Sequence, residues 1–270
     1  MRKIFSMTSK IDWKGYFDKI YCIHFLPDKN RIPRLEKELE RVGILDSGIF
    51  QYFYTVPNRY EKIYEKIFPE CRPVYMNLGF GTLKMLKEAM YLDYGRIMVI
   101  EDDIAFLKDM DEMKRILDNM PEEHRMIQMD KAMWRDQLKS EWEPDLEKNK
   151  INDHFVSTKN HYVFATCNIY DREGIRDSIA VLEKRICAPD DIPNGYVRNH
   201  AVAIRNLAIQ VTYSNAANLY YGDVDKLRRK YLATGVRFED YAIPENYDGR
   251  IALRSSLEDT PTVLQLNGQE

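Results

Sequence analysis

Three consecutive acids, Glu101, Asp102 and Asp103, are the residues whose types and spacing point most directly to chemistry. Adjacent carboxylates repel one another, and the repulsion grows as water is excluded from around them. A bound cation relieves that repulsion, and Mg²⁺ and Mn²⁺ prefer oxygen ligands. The acids therefore predict a site for a divalent cation, and the alternative interpretation is an ordinary solvated strand end.

The acids follow an apolar run that predicts a buried strand. Residues 97–100 are four apolar residues in succession, as in the centre of a parallel sheet. Ligands of open α/β sheets bind at the carboxyl ends of the strands, which is where these acids stand. An acid-x-acid pattern along a strand also points residues 101 and 103 to the same side.

Strand and helix patterns alternate along the rest of the chain, which predicts an α/β fold with a mainly parallel sheet flanked by helices. We expect a leader at 1–17, one domain at 18–214 and a C-terminal extension at 215–270 that packs on the domain or trails it. The stretch 130–153 is polar and predicts a long surface loop of the kind that often forms a lid. The predicted strands are 19–26, 50–56, 97–100, 125–129, 161–170 and 208–213, and the predicted helices are 32–42, 60–68, 79–92, 110–120, 172–185 and 196–207.

Composition excludes several classes of protein. The 270 residues carry a net charge of −3, so no global basic field favours nucleic acid. The four cysteines form no CxxC pair, which argues against a zinc cluster or a disulfide framework and favours a reducing compartment, with Cys22 and Cys167 as buried thiols. We expect no signal peptide and no membrane span, because no apolar stretch approaches about 18 residues.

Four stretches share their order with one enzyme family: residues 23–26 followed by Arg31 and Arg34, the Gly-led helix 78–83, the acids 101–103, and Pro189-Asp190. In these stretches the chain resembles glycosyltransferase family 25, the lipooligosaccharide galactosyltransferases and their collagen-modifying relatives. It departs from the family where a strand Asn is replaced by His24, a Glu by Asn77, and a Ser-His pair by Leu83-Lys84.

The resemblance implies a GT-A type, Rossmann-like fold and an enzyme that uses a UDP-sugar donor with Mn²⁺ or Mg²⁺. It implies transfer of a hexose, commonly galactose, with inversion, to a surface glycan or lipooligosaccharide acceptor. The metal is assigned to Asp103 with Glu101, and Glu101 or Asp102 otherwise contacts the donor ribose. A cytoplasmic location follows, with contact to the inner face of the membrane as an option.

Further donor-binding roles are expected at the ends of the first two strands. Arg31 is assigned to the donor diphosphate because guanidinium is a forked donor, and the alternative is an exposed helix face in which Arg34 pairs with Glu38. For His24 the alternative is a core histidine, for Asn58 it is turn chemistry, and for Gly79 it is a simple turn. The donor-binding residues are His24, Phe25, Leu26, Arg31, Thr55, Asn58, Gly79, Glu101 and Asp102.

The catalytic base is expected to be a carboxylate that accepts the proton of the acceptor hydroxyl. Asp190 and Asp191 are assigned to this role, with a helix or turn cap as their alternative function, and Asp130 is an alternative base. His200 is either an additional metal ligand or a structural histidine. The second acid-x-acid motif, 223–225, follows no strand pattern and is not assigned. The basic run 226–230 is either a contact for anionic lipid or a solvated face.

Two other functions remain open from the sequence. A nucleotidyltransferase or phosphatase uses similar acids on an α/β sheet and releases pyrophosphate or phosphate instead of UDP. A degenerate family member binds a nucleotide-sugar or glycan without turnover, and the missing Ser-His pair makes this alternative relevant.

Overall fold

Seven strands of the described chain form one mixed sheet. The computed structural model describes residues 11–26, 31–56, 63, 66, 73–134, 138–160, 162, 166–184, 186, 197, 199–210, 252–254 and 262–263. The strands are β1 (Lys19–Phe25), β2 (Phe50–Thr55), β3 (Arg96–Glu101), β4 (Ile104–Phe106), β5 (Met126–Gln128), β6 (Ala132–Trp134), β7 (Phe155–Thr158), β8 (Cys167–Asp171), β9 (His200–Ala203), β10 (Ala208–Gln210), β11 (Ala252–Arg254) and β12 (Thr262–Val263). The helices are α1 (Ile32–Arg41), α2 (Pro73–Tyr91), α3 (Met110–Asp118), α4 (Glu143–Lys148) and α5 (Arg172–Lys184).

The strand order in the main sheet is β2-β1-β3-β8-β5-β9-β7. β1 pairs in parallel with both β2 and β3, and β5 pairs in parallel with β9. β8 lies antiparallel between β3 and β5, and β7 is antiparallel to β9. As a result β1, β2, β3, β5 and β9 all end at the same edge of the sheet.

Alternating side chains of the central strand β3 contribute to two hydrophobic layers. Met98 and Ile100 face one layer, which contains the apolar stripes of α1 and α3, while Ile97 and Val99 face the layer under α2 and α5. All four residues are buried, in agreement with the predicted strand. The α/β class, with a sheet flanked by helices, is therefore confirmed, although the sheet is more mixed than expected.

Some predicted elements are wrong. The stretch 196–207 contains β9 instead of a helix, because His200–Ala203 is fully buried between β5 and β7 and tertiary pairing overrides helix propensity. The predicted surface loop contains β6, a π-helical segment at Leu138–Trp142 and α4, and Trp142 is 2% exposed. The predicted helix 60–68 lies outside the described residues, apart from residues 63 and 66.

Segments near both ends of the sequence contact the domain. Ile11, Trp13 and Phe17 are buried in the larger hydrophobic layer, and the Trp13 indole donates a hydrogen bond to the carbonyl oxygen of Val42 at 2.8 Å. β11 pairs in parallel with β6 and antiparallel with β12. In the part of the chain that the structure describes, no helix has the length and apolarity needed to cross a membrane.

Candidate functional site

The acidic turn lies at the carboxyl edge of the parallel strands. β3 ends at Glu101, and Asp102 and Asp103 form a tight turn before β4. The alternation expected between residues 101 and 103 assumes a strand that continues through both, whereas β3 ends at Glu101. Asp102 and Asp103 share Arg31 as a partner, and they are 5% and 4% exposed.

One nitrogen of Arg31 lies between these two aspartates. Its Nη1 atom donates to Oδ1 of Asp102 at 2.5 Å and to Oδ2 of Asp103 at 3.2 Å. Buried carboxylates need a compensating charge because water does not reach them. The guanidinium of Arg31 supplies that charge, and its side chain is itself only 15% exposed.

His24 holds the other oxygen of Asp102. Its Nδ1 atom lies 2.6 Å from Asp102 Oδ2, and its buried ring packs edge-on against the rings of Tyr52 and Tyr54. Burial acts to raise the pKa of Asp102, but the hydrogen bonds and charges of His24 and Arg31 lower it by a larger amount. The pKa of Asp102 therefore lies below its ordinary value. Asp102 is therefore a fixed anion with both oxygens engaged.

Arg34 supports the backbone of the acidic turn. Its Nη2 atom donates to the carbonyl oxygens of Asp102 at 3.4 Å and Ile104 at 2.9 Å. Glu38, the partner of Arg34 in the alternative interpretation, forms an ion pair with Arg41 at 2.6 Å. Arg34 thus positions the turn by donating to main-chain carbonyls of the turn, whereas Arg31 contacts the two carboxylates directly.

The ends of β1 and β2, which carry residues predicted to bind the donor, lie beside this turn. The Leu26 amide donates to the Thr55 carbonyl at 3.0 Å, and the Thr55 hydroxyl donates to the His24 carbonyl at 3.3 Å. Phe25 pairs in register with Thr55. Leu26 is 42% exposed, so this edge presents an apolar side chain to solvent.

Gly79 does not lie at a helix start. α2 begins at Pro73, so the Gly79 amide lies inside the helix, where it is beyond the four N–H groups that a helix N-terminus leaves open. The glycine that permits close packing is Gly81, because a Cβ atom at that position would lie 2.3 Å from Thr55 Cγ2. Gly81 therefore sets the distance between α2 and the end of β2.

Asp130, the alternative base, is fully buried at the same edge. Its carboxylate accepts hydrogen bonds from the amides of Thr166 at 3.3 Å and Cys167 at 3.0 Å. Burial raises the pKa of Asp130 to about 7, although those amides act to lower it. Asp130 connects β5 to β8 and has no exposed surface to offer to a substrate.

Lys131 lies next to Asp130 at the same edge of the sheet, and the sequence analysis did not predict a role for it. Its ammonium group donates to the carbonyls of Ala203 at 2.5 Å and Ile204 at 2.9 Å, and to Asn206 Oδ1 at 2.9 Å. It also lies 4.5 Å from the centroid of the Trp142 ring. Burial lowers the pKa of Lys131 to about 7. The available signal was the adjacent pair of opposite charges, Asp130 and Lys131, between the apolar residues Met129 and Ala132.

Of the remaining predicted site residues that the structure describes, His200 is not brought to the acidic turn. His200 begins β9 at the opposite edge of the sheet, three strand positions from β3. Asn58, Asp190 and Asp191 lie outside the described residues, as do 223–225 and 226–230. Within the described residues, no group of three or more His, Cys, Asp or Glu side chains is arranged to hold a metal ion. Asp102 and Asp103 nevertheless offer the oxygen donors that a hard cation prefers.

Comparison with known proteins gives similarities of structure only. A glycosyltransferase involved in the glycosylation of the major capsid of PBCV-1 matches 74% of this chain and 95% of its own, at 7% identity and a TM-score of 0.40. A mannose-1-phosphate geranyltransferase from Thermus thermophilus matches 68% of this chain and 72% of its own, at 12% identity and a TM-score of 0.36. Mouse xyloside xylosyltransferase 1, in its apo form, matches 67% of this chain and 77% of its own, at 9% identity and a TM-score of 0.31.

All three of these neighbours are described as transferases. No protein-family model matches the sequence, and the comparison with curated proteins finds no match. The TM-scores of these three neighbours are all below 0.5, so the similarities do not indicate an activity for this chain.

Proposed function

We propose that this chain is a GT-A type glycosyltransferase that moves a hexose from a UDP-sugar to a glycan acceptor. The observation that carries the proposal is the buried pair of Asp102 and Asp103, gathered on Arg31 at the carboxyl edge of the parallel strands. Ligands of open α/β sheets bind at this edge. The order of motifs that resembles glycosyltransferase family 25 includes both these acids and Arg31.

The proposed donor site offers a nucleotide diphosphate two positive charges, the guanidinium of Arg31 and a bound divalent ion. Arg31 has the forked geometry that pairs with phosphate oxygens. Asp102 and Asp103 are proposed to hold Mn²⁺ or Mg²⁺, whereas the predicted ligand Glu101 forms no three-acid metal group with them in the described residues. When bound, the divalent ion supplies positive charge for the diphosphate leaving group. Since the described residues provide only part of a coordination shell, the remaining ligands are expected from the diphosphate and from water.

Neighbouring residues position these groups. His24 fixes one oxygen of Asp102, and Arg34 fixes the backbone of the turn. Leu26 and Thr55 border the space expected to receive the nucleoside, with Asn58 proposed to contact the base.

In the transfer itself, the bond between the anomeric carbon and the diphosphate oxygen breaks as the acceptor oxygen attacks from the opposite face. A carboxylate, proposed to be Asp190 or Asp191, takes the proton of the acceptor hydroxyl. Galactose as the sugar, a lipooligosaccharide or surface glycan as the acceptor, and a cytoplasmic location beside the membrane are parts of the proposal that rest on the family resemblance.

Donor turnover tests the proposal directly. The full chain is incubated with Mn²⁺ and a panel of UDP-sugars, with and without glycan acceptors, and UDP release is followed. We expect slow hydrolysis of one UDP-sugar without acceptor and at least about tenfold loss of that rate in Asp103→Asn, because a transition-state charge contact contributes a few kcal/mol. Asp153→Asn is the matched control, since Asp153 is an exposed acid that pairs with Lys150.

The products separate the alternatives. Release of pyrophosphate or free phosphate in place of UDP identifies a nucleotidyltransferase or phosphatase. Binding of a UDP-sugar without any UDP release, measured by calorimetry, identifies a degenerate binding protein. Absence of both binding and release would refute the nucleotide-sugar site altogether.

A further inference from the structure

We propose that residues 138–148 form a lid at the carboxyl edge of the sheet, and that uptake of a proton by Lys131 favours the open lid. The lid consists of the π-helical segment Leu138–Trp142 and of α4 (Glu143–Lys148). Ligands of open α/β sheets bind at this edge, so an open lid gives them easier access. The proposal concerns the movement of the lid and does not depend on the reaction proposed above.

The ring of Trp142 covers the ammonium group of Lys131. Lys131 follows the end of β5, and Ala203, which accepts one of its hydrogen bonds, ends β9, so the ammonium lies at the carboxyl edge. Its Nζ atom is 4.5 Å from the centroid of the Trp142 ring, and this ring packs edge-on against Tyr162 at 5.4 Å. Trp142 is buried and Lys131 is wholly buried beneath it. Opening of the lid therefore brings water to the ammonium group.

A second contact of the lid encloses the carboxylate of Asp145 on α4. Its Oδ2 atom accepts hydrogen bonds from the hydroxyl of Thr158 at 2.5 Å, the side-chain amide of Asn160 at 2.9 Å and the hydroxyl of Tyr162 at 2.9 Å. A charge that is removed from water costs free energy even where it is hydrogen-bonded. Each of these two contacts thus encloses a charge, and hydration of both charges offsets part of the contacts that opening breaks.

The enclosure of Lys131 determines how protons act on the lid. Burial lowers the pKa of Lys131 to about 7, although the charge of Asp130 acts to raise it, whereas a lysine in water has a pKa of about 10.4. The closed lid therefore binds the proton more weakly than the open lid, and by linkage proton uptake shifts the lid toward the open state. A neutral amine still has two N–H donors, so the deprotonated lysine keeps most of its contacts with Ala203, Ile204 and Asn206.

Other titratable groups surround Lys131. The guanidinium of Arg205 forms an ion pair with a carboxylate of α3. Burial raises the pKa of Tyr162, so its hydroxyl stays neutral and donates to Asp145. His154 lies before β7, and its carbonyl accepts a hydrogen bond from the Ile204 amide at 2.7 Å. The roles of Asp130 and His154 are separated from that of Lys131 by variants.

Hydrogen exchange of backbone amides, followed by mass spectrometry on the full chain, measures the opening of the lid. Exchange rates of peptides from the lid and from β3 are divided by the intrinsic rates at each pH to give protection factors. At pH 6.5 the protection factor of the lid should be at least about tenfold lower than that of β3, because the lid opens without unfolding of the sheet. From pH 6.5 to 9 the protection factor of the lid should rise at least about tenfold.

Four variants identify the group that takes up the proton. In Lys131→Met the rise between pH 7 and 9 should disappear, because methionine binds no proton. In Asp130→Asn the rise should remain but begin at a lower pH, because Asp130 favours the charged form of Lys131. His154→Gln should retain the rise, and so should Lys150→Met, which removes an exposed lysine that pairs with Asp153. Circular dichroism establishes that each variant is folded.

The outcomes are distinct. Equal protection of the lid and β3 at pH 6.5 overturns the lid, and protection of the lid that does not change with pH in the wild type overturns its control by protons. A rise that persists in Lys131→Met, or one that disappears in His154→Gln, overturns the role of Lys131. The wild-type series remains decisive where Lys131→Met does not fold. Since no nucleotide is present, failure of the lid is separate from failure of the proposed glycosyltransferase function.

Discussion

Lys131 joins the segments that follow β5 and β9, and its replacement by Met should destabilise the protein substantially. The ammonium group donates to two backbone carbonyls and one side-chain oxygen on the β9 side, and the side chain is fully buried. Met retains most of the volume and apolar surface of the lysine stem. The substitution therefore tests the three hydrogen bonds more than the packing.

The expected loss of stability comes from the hydrogen-bond acceptors that would no longer have a donor. The Ala203 carbonyl and Asn206 Oδ1 are buried, and each would lose a donor at about 1–3 kcal/mol, whereas the partly buried Ile204 carbonyl can bind water. Relief of the buried charge offsets part of this loss. We expect a net decrease in the free energy of unfolding of about 2–5 kcal/mol at pH 6, where Lys131 is largely charged.

Urea unfolding followed by circular dichroism measures this loss. With a slope of about 3 kcal/mol/M, the midpoint should fall by roughly 1 M. Lys150→Met is the matched control, because Lys150 is an exposed lysine whose ion pair with Asp153 should contribute less than about 1 kcal/mol. A midpoint for Lys131→Met equal to that of Lys150→Met would refute the reasoning and show that the three hydrogen bonds give no net stability.

Two further predictions concern packing and pH. Gly174→Ala should destabilise by about 2 kcal/mol or more and lower Tm by about 4 °C or more, because its Cβ would lie 1.7 Å from the Arg125 carbonyl oxygen. Gly15→Ala, whose Cβ meets its nearest atom at 3.6 Å, should leave Tm nearly unchanged in the same calorimetric scan, and equal Tm values for the two variants would contradict this. Asp130 has its pKa raised by burial to about 7, so its stabilising effect is complete below about pH 4 and is lost as the pH rises toward 7. Asp130 should make the free energy of unfolding of the wild type fall by up to about 1.4 kcal/mol per pH unit between pH 5 and 6.5. Asp130→Asn should remove this contribution, as measured by urea unfolding over the same pH range. An unaltered slope would exclude the raised pKa.

The first half of the fold could be predicted from the sequence because its elements carry strong local patterns. The apolar run of β3 and the Leu35 and Leu39 stripe of α1 each indicate a single structure, and both elements lie close to the predicted bounds. β9 was predicted as a helix because the sequence around His200–Ala203 has no clear alternation. Its conformation is set by the neighbouring strands β5 and β7, and neither strand is close to it in the sequence.

The candidate site was predicted only in part, for a similar reason. Asp102, Asp103 and Arg31 were identified individually from their types and from the positions that strand ends give them. Their pairing, and the contact of His24 with Asp102, join residues that are far apart in the sequence, and nothing local indicates them. Lys131 was missed because it begins a polar stretch, directly after Asp130, and lysine and aspartate are seldom fully buried.

The place of β8 in the sheet has a consequence for the order in which the protein is made. β8 separates β3 from β5, although both of those strands precede it in the chain. As the polypeptide leaves the ribosome, β1, β2 and β3 can pair before β8 has been synthesised, and residues 24, 31, 102 and 103 all belong to this early part. We expect the ion pairs of the acidic turn to form on a three-stranded nascent sheet, while β5 and β9 join later through β8, as is usual for larger chains that fold in stages.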